Sequence, residues 1–380
     1  MPPTSRILNR LLIGTFLAAL SIPALGMVFG VGTSKAPWFE ANAPFPERPR
    51  SLLALAQLPN RIRYYVNAHF AFRVPLMALY AQLKVRVFGV SGSAEVMLGK
   101  QGWLFFSGDL IVDDYRCNRP LTESELTHWK DRLVSRRDWL RSRGIPYVFT
   151  IAPNTGTIYP EYLPDALHRF GSASRLEQLT SYLEQHSDIR PVDLRRPLTE
   201  AKGRGTLYYK TDSHWNQLGG FVAYEQISAR LHELLPAWKS RTIDDFDRVP
   251  TADWAGDLSY MLGAPSLFRE TRIDLVPRQR MDVRSDGRPM PVSESEGNWS
   301  SQAVVVRESA QGEIPRALVL RDSYFGAPAQ FLSNHFGRML MLWKHDLDPA
   351  VIEREHPDVV IEEFVERGLM QPLGDETPLP

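Results

Sequence analysis

The chain has 380 residues, 43% of them hydrophobic and 23% charged, the balance of a polypeptide that buries a core. Lys+Arg and Asp+Glu both number 44, so no net field draws in nucleic acid, and no nucleic-acid partner is expected. A single cysteine, Cys117, excludes an internal disulfide and a thiolate metal cluster.

The N-terminal MPPTSRILNR carries Arg6 and Arg10 and no acid, and residues 11–32 then carry no charge. At about 1.5 Å per residue, that run matches the ~30 Å hydrocarbon core of a bilayer. The positive flank precedes the run, so a single-pass anchor with the N-terminus in the cytoplasm is expected. A cleaved signal peptide is the alternative, since Ala24-Leu25-Gly26 is a small-x-small site; both readings export the body of the protein. Residues 33–50 hold four prolines and read as a linker. Residues 51–98 read as a helical extension, with apolar residues at three- and four-residue spacing through LLALAQL, RIRYYV and VPLMALYAQLKVRVFGV.

The main domain is expected over residues 99–380. GKQGWLFFSGD (99–109) suggests a hairpin or strand at its entrance. Thr122 and Glu125 form a capping box that opens a helix to about 143, where Gly144 stops it. IPYVFTIAP (145–153) reads as a strand, 174–186 as a helix and RPVDL (190–194) as a short strand. NQLGGFVAYEQISARL then sets Leu218, Phe221, Val222, Ile227 and Leu231 mostly on one helical face. RALVLRDS (316–323) is a continuous apolar run, as a parallel strand covered on both faces requires, and GRMLMLW (337–343) and PDVVIEEF (357–364) are two more strands. This alternation predicts an α/β fold with a mainly parallel sheet flanked by helices. Residues 240–315 are polar and irregular, consistent with insertions and edge strands.

Active sites of such sheets lie where strands end. Ser323 ends the strongest strand, with Gly326 just beyond, in a strand-turn-helix setting that suits a nucleophile although G-x-S-x-G is missing. Asp322 or Ser323 as a helix N-cap is the other reading. In YKTDSHWN, Asp212 and His214 stand two apart, so in extended chain they project to the same side. Asp212 can then hold one nitrogen of His214 while the other takes a proton from a serine, which makes Asp212, His214 and Ser323 a complete acyl-transfer set. Asp and His are also metal ligands, but His186/Asp188, His345/Asp346 and His356/Asp358 show no ligand spacing on a common helix, so neither metal nor cofactor is expected.

Several neighbours are weaker candidates for binding. Asn154, ending a strand, is either an oxyanion-hole donor or a turn former. Tyr324 and Trp215 adjoin the set and could wall a sugar, with Trp215 buried under its helix as the alternative. Lys210 and Arg321 would either meet a uronate carboxylate or fix a loop by pairing with an acid. Glu362, Glu363, Glu366 and Arg367 follow a strand and read as a solvated helix start.

Taken together, GKQGWLFF (99–106), IAPNTGTIYPEYLP (151–164), YYKTDSHWN (208–216), LRDSYF (320–325) and VVIEEFVER (359–367) resemble the alginate-type O-acetyltransferases of the bacterial periplasm, in the SGNH hydrolase-like group. The resemblance covers nearly everything after the apolar segment. It implies that Asp212 and His214 are acid and base and Ser323 the nucleophile. It also implies an exopolysaccharide acceptor, a membrane-bound acyltransferase as acetyl donor, other polysaccharide secretion subunits as partners and an inner-membrane location. A carbohydrate-binding module carried by one alginate member is not expected here. A carbohydrate esterase with the same triad, or a non-catalytic subunit of a secretion complex, would share these features.

Overall fold

The structure, a computed structural model, describes residues 3–32, 44–235, 237–279, 282–286, 288–289, 303–309, 315–374 and 379. The chain divides into two units, one running to Gly92 with Leu262–Ala264, the other comprising Ser93–Met261 and the chain from Pro265 on.

The smaller unit holds α1 (Pro3–Phe29), α2 (Leu52–His69) and α3 (Arg73–Phe88). Within α1, Ile7–Phe29 is long and apolar enough to cross a membrane, with a mean hydropathy of 2.1 and only 11% of that window buried. Of the expected linker, residues 33–43 lie outside the described residues and 44–50 form no regular element. Ser51 caps α2 by accepting the Ala54 N–H at 3.1 Å, and Gly89, at φ +64°, closes α3 in the left-handed region that glycine tolerates.

The larger unit begins with an antiparallel hairpin of β1 (Val96–Leu98) and β2 (Leu104–Phe106). The helical extension expected to reach residue 98 therefore ends at Phe88, because burial of Val96 and Phe105 draws this stretch into strand pairing. Next come α4 (Ile111–Arg116), α5 (Glu123–Arg141), β3 (Tyr147–Ala152), α6 (Thr155–Ile158), α7 (Arg175–His186), β4 (Val192–Asp193), α8 (Arg195–Ala201) and α9 (Gln217–Leu234). The capping box predicted at α5 is present, with Thr122 Oγ1 accepting from the Glu125 N–H and Glu125 Oε2 from the Thr122 N–H. The strand expected over 190–194 shrinks to two residues at the sheet edge.

Within 240–315, β5 (Phe246–Trp254) and β6 (Glu270–Pro277) form a separate antiparallel ribbon joined through α10 (Asp257–Met261). Then follow β7 (Val283–Ser285), β8 (Arg288–Pro289) and β9 (Val304–Ser309), while 280–281, 287, 290–302 and 310–314 lie outside the described residues. The chain finishes with β10 (Arg316–Leu320), α11 (Gly326–Leu332), β11 (Arg338–Leu342), α12 (Pro349–Glu355) and β12 (Val359–Val365).

The main sheet runs β4-β3-β12-β10-β11-β9-β7-β8. Its first five strands are parallel, and β9 and β7 extend it antiparallel as the edge strands expected in this region. Alternation along the strands sorts the core into two layers. Val319, Met341 and Ile361 pack on α9 and α11 through Phe221, Ile227 and Phe331. Leu318, Leu340 and Val360 face the other way, onto α5 and α12 through Trp139, Leu140 and Ile352. Strands so enclosed must be apolar throughout, as read from RALVL and VVI.

Buried ionisable residues break that rule, Glu362 among them. Glu362, in β12 and 1% exposed, accepts from Arg136 Nη1 of α5 at 2.5 Å and from the Tyr147 hydroxyl. Burial pushes this carboxyl up, but the Arg136 guanidinium outweighs it and holds the group at about 2. Glu362→Ala would strand a buried guanidinium, so urea unfolding should show a loss of roughly 3–5 kcal/mol; a loss under about 1 kcal/mol would mean that this pair does not brace the sheet.

Candidate active site

Three parallel strands end side by side at the carboxyl edge of the sheet: β3 at Asn154, β10 at Asp322-Ser323 and β12 at Glu366. Asp322 ties two of them together. Its Oδ1 accepts from the Tyr324 N–H at 2.8 Å, and its Oδ2 accepts from the Val365 N–H at 2.6 Å. The chain leaves β10 in an extended residue, turns through a short 3₁₀ segment at Ser323–Phe325 and enters α11. Both readings of the RDS turn therefore meet here, with Asp322 as the cap and Ser323 set on the turn.

The loop carrying His214 is closed by its own backbone. Tyr208 pairs with Trp215, the Asn216 N–H donates to Leu207 O at 2.9 Å, and Asn216 Oδ1 then caps α9 by accepting from Leu218 and Gly219. His214 Nε2 lies 2.8 Å from Ser323 Oγ, and His214 Nδ1 lies 2.8 Å from Asp212 Oδ1. Asp212 Oδ1 also accepts the His214 N–H at 3.0 Å, so the carboxylate sets both the ring and its backbone. The structure thus brings Asp212, His214 and Ser323 into one hydrogen-bonded line across 109 residues of sequence.

A second carboxylate, absent from the sequence reading, completes the cluster. Asp257, at the start of α10, accepts from the Ser213 N–H at 2.7 Å and the Ser213 hydroxyl at 2.6 Å, and its Oδ2 lies 3.7 Å from His214 Nδ1. Its own N–H donates to Asp212 Oδ2 at 2.8 Å. Gly256 permits this approach, because a Cβ there would fall 2.5 Å from Asp212 Cβ and from Thr211 O. Burial, and then the Asp212 charge, push Asp257 up to about 6. Burial also opposes ionisation of Asp212 and His214. For each, the hydrogen bond and charge of the other prevail, leaving Asp212 lowered and His214 raised. Ligand atoms of Asp212, His214 and Asp257 lie within 4.8 Å of one another, but Asp212 Oδ1 is engaged by His214 and Asp257 by Ser213, an arrangement built around protons.

The remaining candidates divide. Asn154 is 1% exposed, and its side-chain oxygen and nitrogen both lack a partner among the described residues, while its N–H donates to Glu366 Oε2 at 2.7 Å. A merely turn-forming asparagine would use that side chain to cap the turn, and here it makes no cap bond. Lys210 lines a cleft of about 430 Å³ with Tyr209, Arg248, Arg269 and Glu270, and Glu270 holds the loop by accepting from the Lys210 and Thr211 N–H groups.

Other placements correct the sequence reading, while Trp215 takes the buried alternative read for it. Tyr324 and Trp215 are 1% and 3% exposed, so they form no sugar-facing wall. Trp215 Nε1 donates to Tyr324 O at 2.9 Å, the Tyr324 hydroxyl donates to Ser213 O, and the Tyr324 ring supports His214 at 4.9 Å. Arg321 is fully buried, with Nη1 on Asp322 O and its guanidinium 5.1 Å from the Trp343 ring, out of reach of a uronate. Burial lowers its pKa to about 10.

Glu362, Glu363 and Glu366 are buried rather than solvated. Glu366 accepts from Asn154 N and Thr157 Oγ1, and burial with the nearby Asp114 charge pushes it up to about 8. The run of acids VIEEFVE looks like a helix start in sequence, but in a parallel strand its alternate residues enter the two faces of the sheet. Asp257 had a fainter signal, a Gly-Asp pair opening a short helix in the irregular region.

Residues 96–294 match the family described as the SGNH hydrolase-like domain of acetyltransferase AlgX. Among curated relatives, a protein of Pseudomonas putida named probable alginate O-acetylase AlgJ is 25% identical over 380 residues, covering 93% of this chain and 90% of its own length. The protein of that name from Pseudomonas aeruginosa is also 25% identical, with 95% and 90% covered. Among solved structures, Bacillus cereus PatB1 with a sulfonyl adduct aligns with a TM-score of 0.51 at 16% identity, over 74% of this chain and 98% of that one, which supports the fold. With more than half of its residues matched and the fold agreeing, the chain belongs to the SGNH hydrolase-like acetyltransferases of the AlgX family.

Proposed function

We propose that this protein is a periplasmic O-acetyltransferase that places acetyl groups on hydroxyls of an exopolysaccharide through an acetyl-Ser323 intermediate. The observation that carries this reading is the line Ser323 Oγ–His214 Nε2 at 2.8 Å and His214 Nδ1–Asp212 Oδ1 at 2.8 Å. The relatives named as alginate O-acetylases support a polysaccharide acceptor. The apolar α1 supports anchoring in the inner membrane, beside a membrane-bound acyltransferase that supplies acetyl and other subunits of a secretion complex.

In the first half-reaction, Ser323 Oγ attacks the acetyl carbonyl as His214 Nε2 takes its proton, and the Asp212 carboxylate stabilises the imidazolium. The Asn154 amide, beyond the end of β3 and without a partner among the described residues, is suited to the developing oxyanion. The bond to the donor's leaving group breaks, and His214 returns the proton to it. In the second half-reaction, His214 deprotonates a sugar hydroxyl, which attacks the acetyl-serine and releases Ser323. Lys210, in its cleft with Arg248 and Arg269, is suited to a carboxylate on the polymer.

Ser323→Ala should lower the release of p-nitrophenol from an activated acetyl ester by about 10³-fold or more. Equal rates would overturn the proposal. Adding an oligosaccharide acceptor should then give a product heavier by one acetyl group, and free acetate alone would identify an esterase. Asn154→Ala should cut kcat by roughly 10²-fold. Its urea midpoint should hold, because the amide makes no hydrogen bond to lose. For Asp257→Asn, the backbone bond to Asp212 survives while a charge that raises His214 is gone. A base works only above its pKa, so the acid limb of the activity profile should move to lower pH; an unmoved limb would remove Asp257 from the tuning of His214.

A further inference from the structure

Every charged residue from 48 to 94 is basic: six arginines and Lys84, with no Asp or Glu between Glu47 and Glu95. This segment comprises α2, α3 and their flanks, and α1 precedes it in the chain, with residues 30–47 between. In α3, Leu76, Leu79, Tyr80, Leu83 and Val87 are 49–65% exposed, while Ala81 on another face is buried. At about 100° per residue these five fall within an arc of roughly 100°, with Arg73 and Lys84 along one border and Arg86 along the other. In α2, Leu52, Leu55, Ile62 and Val66 repeat the pattern as a stripe of 36–85% exposure, with Arg63 beside it.

We propose that α2 and α3 lie in the interfacial plane of an anionic bilayer, with these stripes in the acyl boundary and the flanking cations among the headgroups. An apolar stripe bordered by cations and free of acids is the pattern of helices that lie on membranes, and exposed leucines in water call for a cover. The charge identifies the occupant. An uninterrupted basic segment complements an anionic surface without needing a specific partner geometry. Continuity with a helix able to cross that bilayer places the segment beside it. The inference rests on the reading of α1 as a membrane helix, and the test separates the two.

The full-length chain carrying Cys117→Ser would be labelled with an environment-sensitive fluorophore at Leu79→Cys, at Gln82→Cys or, in α1, at Ala18→Cys. It would be reconstituted in vesicles of phosphatidylcholine with about one-third phosphatidylglycerol, some doped with nitroxide lipids labelled near the headgroup. Quenching at Leu79→Cys should exceed that at Gln82→Cys by about three-fold, and should fall by a similar factor in pure phosphatidylcholine or with Arg73, Lys84 and Arg86 replaced by Gln. A water-like, unquenched probe at Leu79→Cys with a blue-shifted probe at Ala18→Cys overturns the proposal and leaves the anchor standing. Water-like emission at both sites overturns both. A blue-shifted but unquenched probe at Leu79→Cys means that protein covers the stripe, which also overturns it.

Discussion

The arrangement of this site depends on one carboxylate. Asp322 accepts from Tyr324 on its own turn and from Val365 at the end of the neighbouring strand, so the serine turn is fixed to the sheet from two directions. Without that bridge, the five-residue strand β10 would hand Ser323 to a turn free to adopt other paths. With it, Ser323 Oγ is held at the height of His214, whose loop is fastened separately by Trp215 Nε1 on Tyr324 O. Tyr324 is thus common to both halves, cradled by Asp322 through its N–H and holding the histidine loop through its carbonyl and hydroxyl. Close helix packing completes the frame. A Cβ at Gly220 of α9 would fall 2.3 Å from that of Ala327 of α11, so glycine there lets the two helices that follow the catalytic loops meet.

Electrostatics then assign different tasks to neighbouring acids. Asp212 and Asp257 both approach His214 Nδ1, at 2.8 and 3.7 Å, and two carboxylates this close do not ionise with equal ease. The nearer one, directly hydrogen-bonded to the ring, keeps its charge, and the other titrates near 6 while its oxygens hold Ser213. Glu366, at about 8, is largely protonated at neutral pH, which lets a buried acid support the Asn154 turn without adding another negative charge beside it. The site therefore concentrates acids yet keeps its most firmly ionised carboxylate on the group hydrogen-bonded to the imidazole.

How much of this was legible in the sequence follows from the reach of each signal. The capping box at Thr122, the apolar run of β10 and the Asp-x-His spacing are local patterns, and each appears where its residues predicted. The burial of Glu362, Glu363 and Glu366 is not local. A glutamate in a strand is read as solvent-facing unless its partner is known, and Arg136 lies 226 positions away. Asp257 escaped for the same reason: its partner Ser213 is 44 residues distant, and its segment has no apolar periodicity. Trp215 takes the buried alternative, but Tyr324 was misread because flanking a reactive residue in sequence says nothing of facing the same solvent. In a tight turn, adjacent side chains point in different directions, and here both rings turn inward.

On the mechanism proposed above, Ser323, His214 and Asp212 alone do not decide between transfer and hydrolysis, because an acetyl-serine would react with whichever hydroxyl His214 can deprotonate. The His214 side chain is 28% exposed and Ser323 is half-buried, so water has access to the base when no polymer is bound. Preference for a sugar must then come from occupancy: an acceptor lying over the triad displaces water and presents its hydroxyl at the same time. Were α1 to hold the chain at a membrane, as proposed, donor and polymer confined there would meet it at a local concentration far above the bulk value. On that reading, an apolar N-terminal helix and an accessible base serve one end, because selectivity against water would come from proximity.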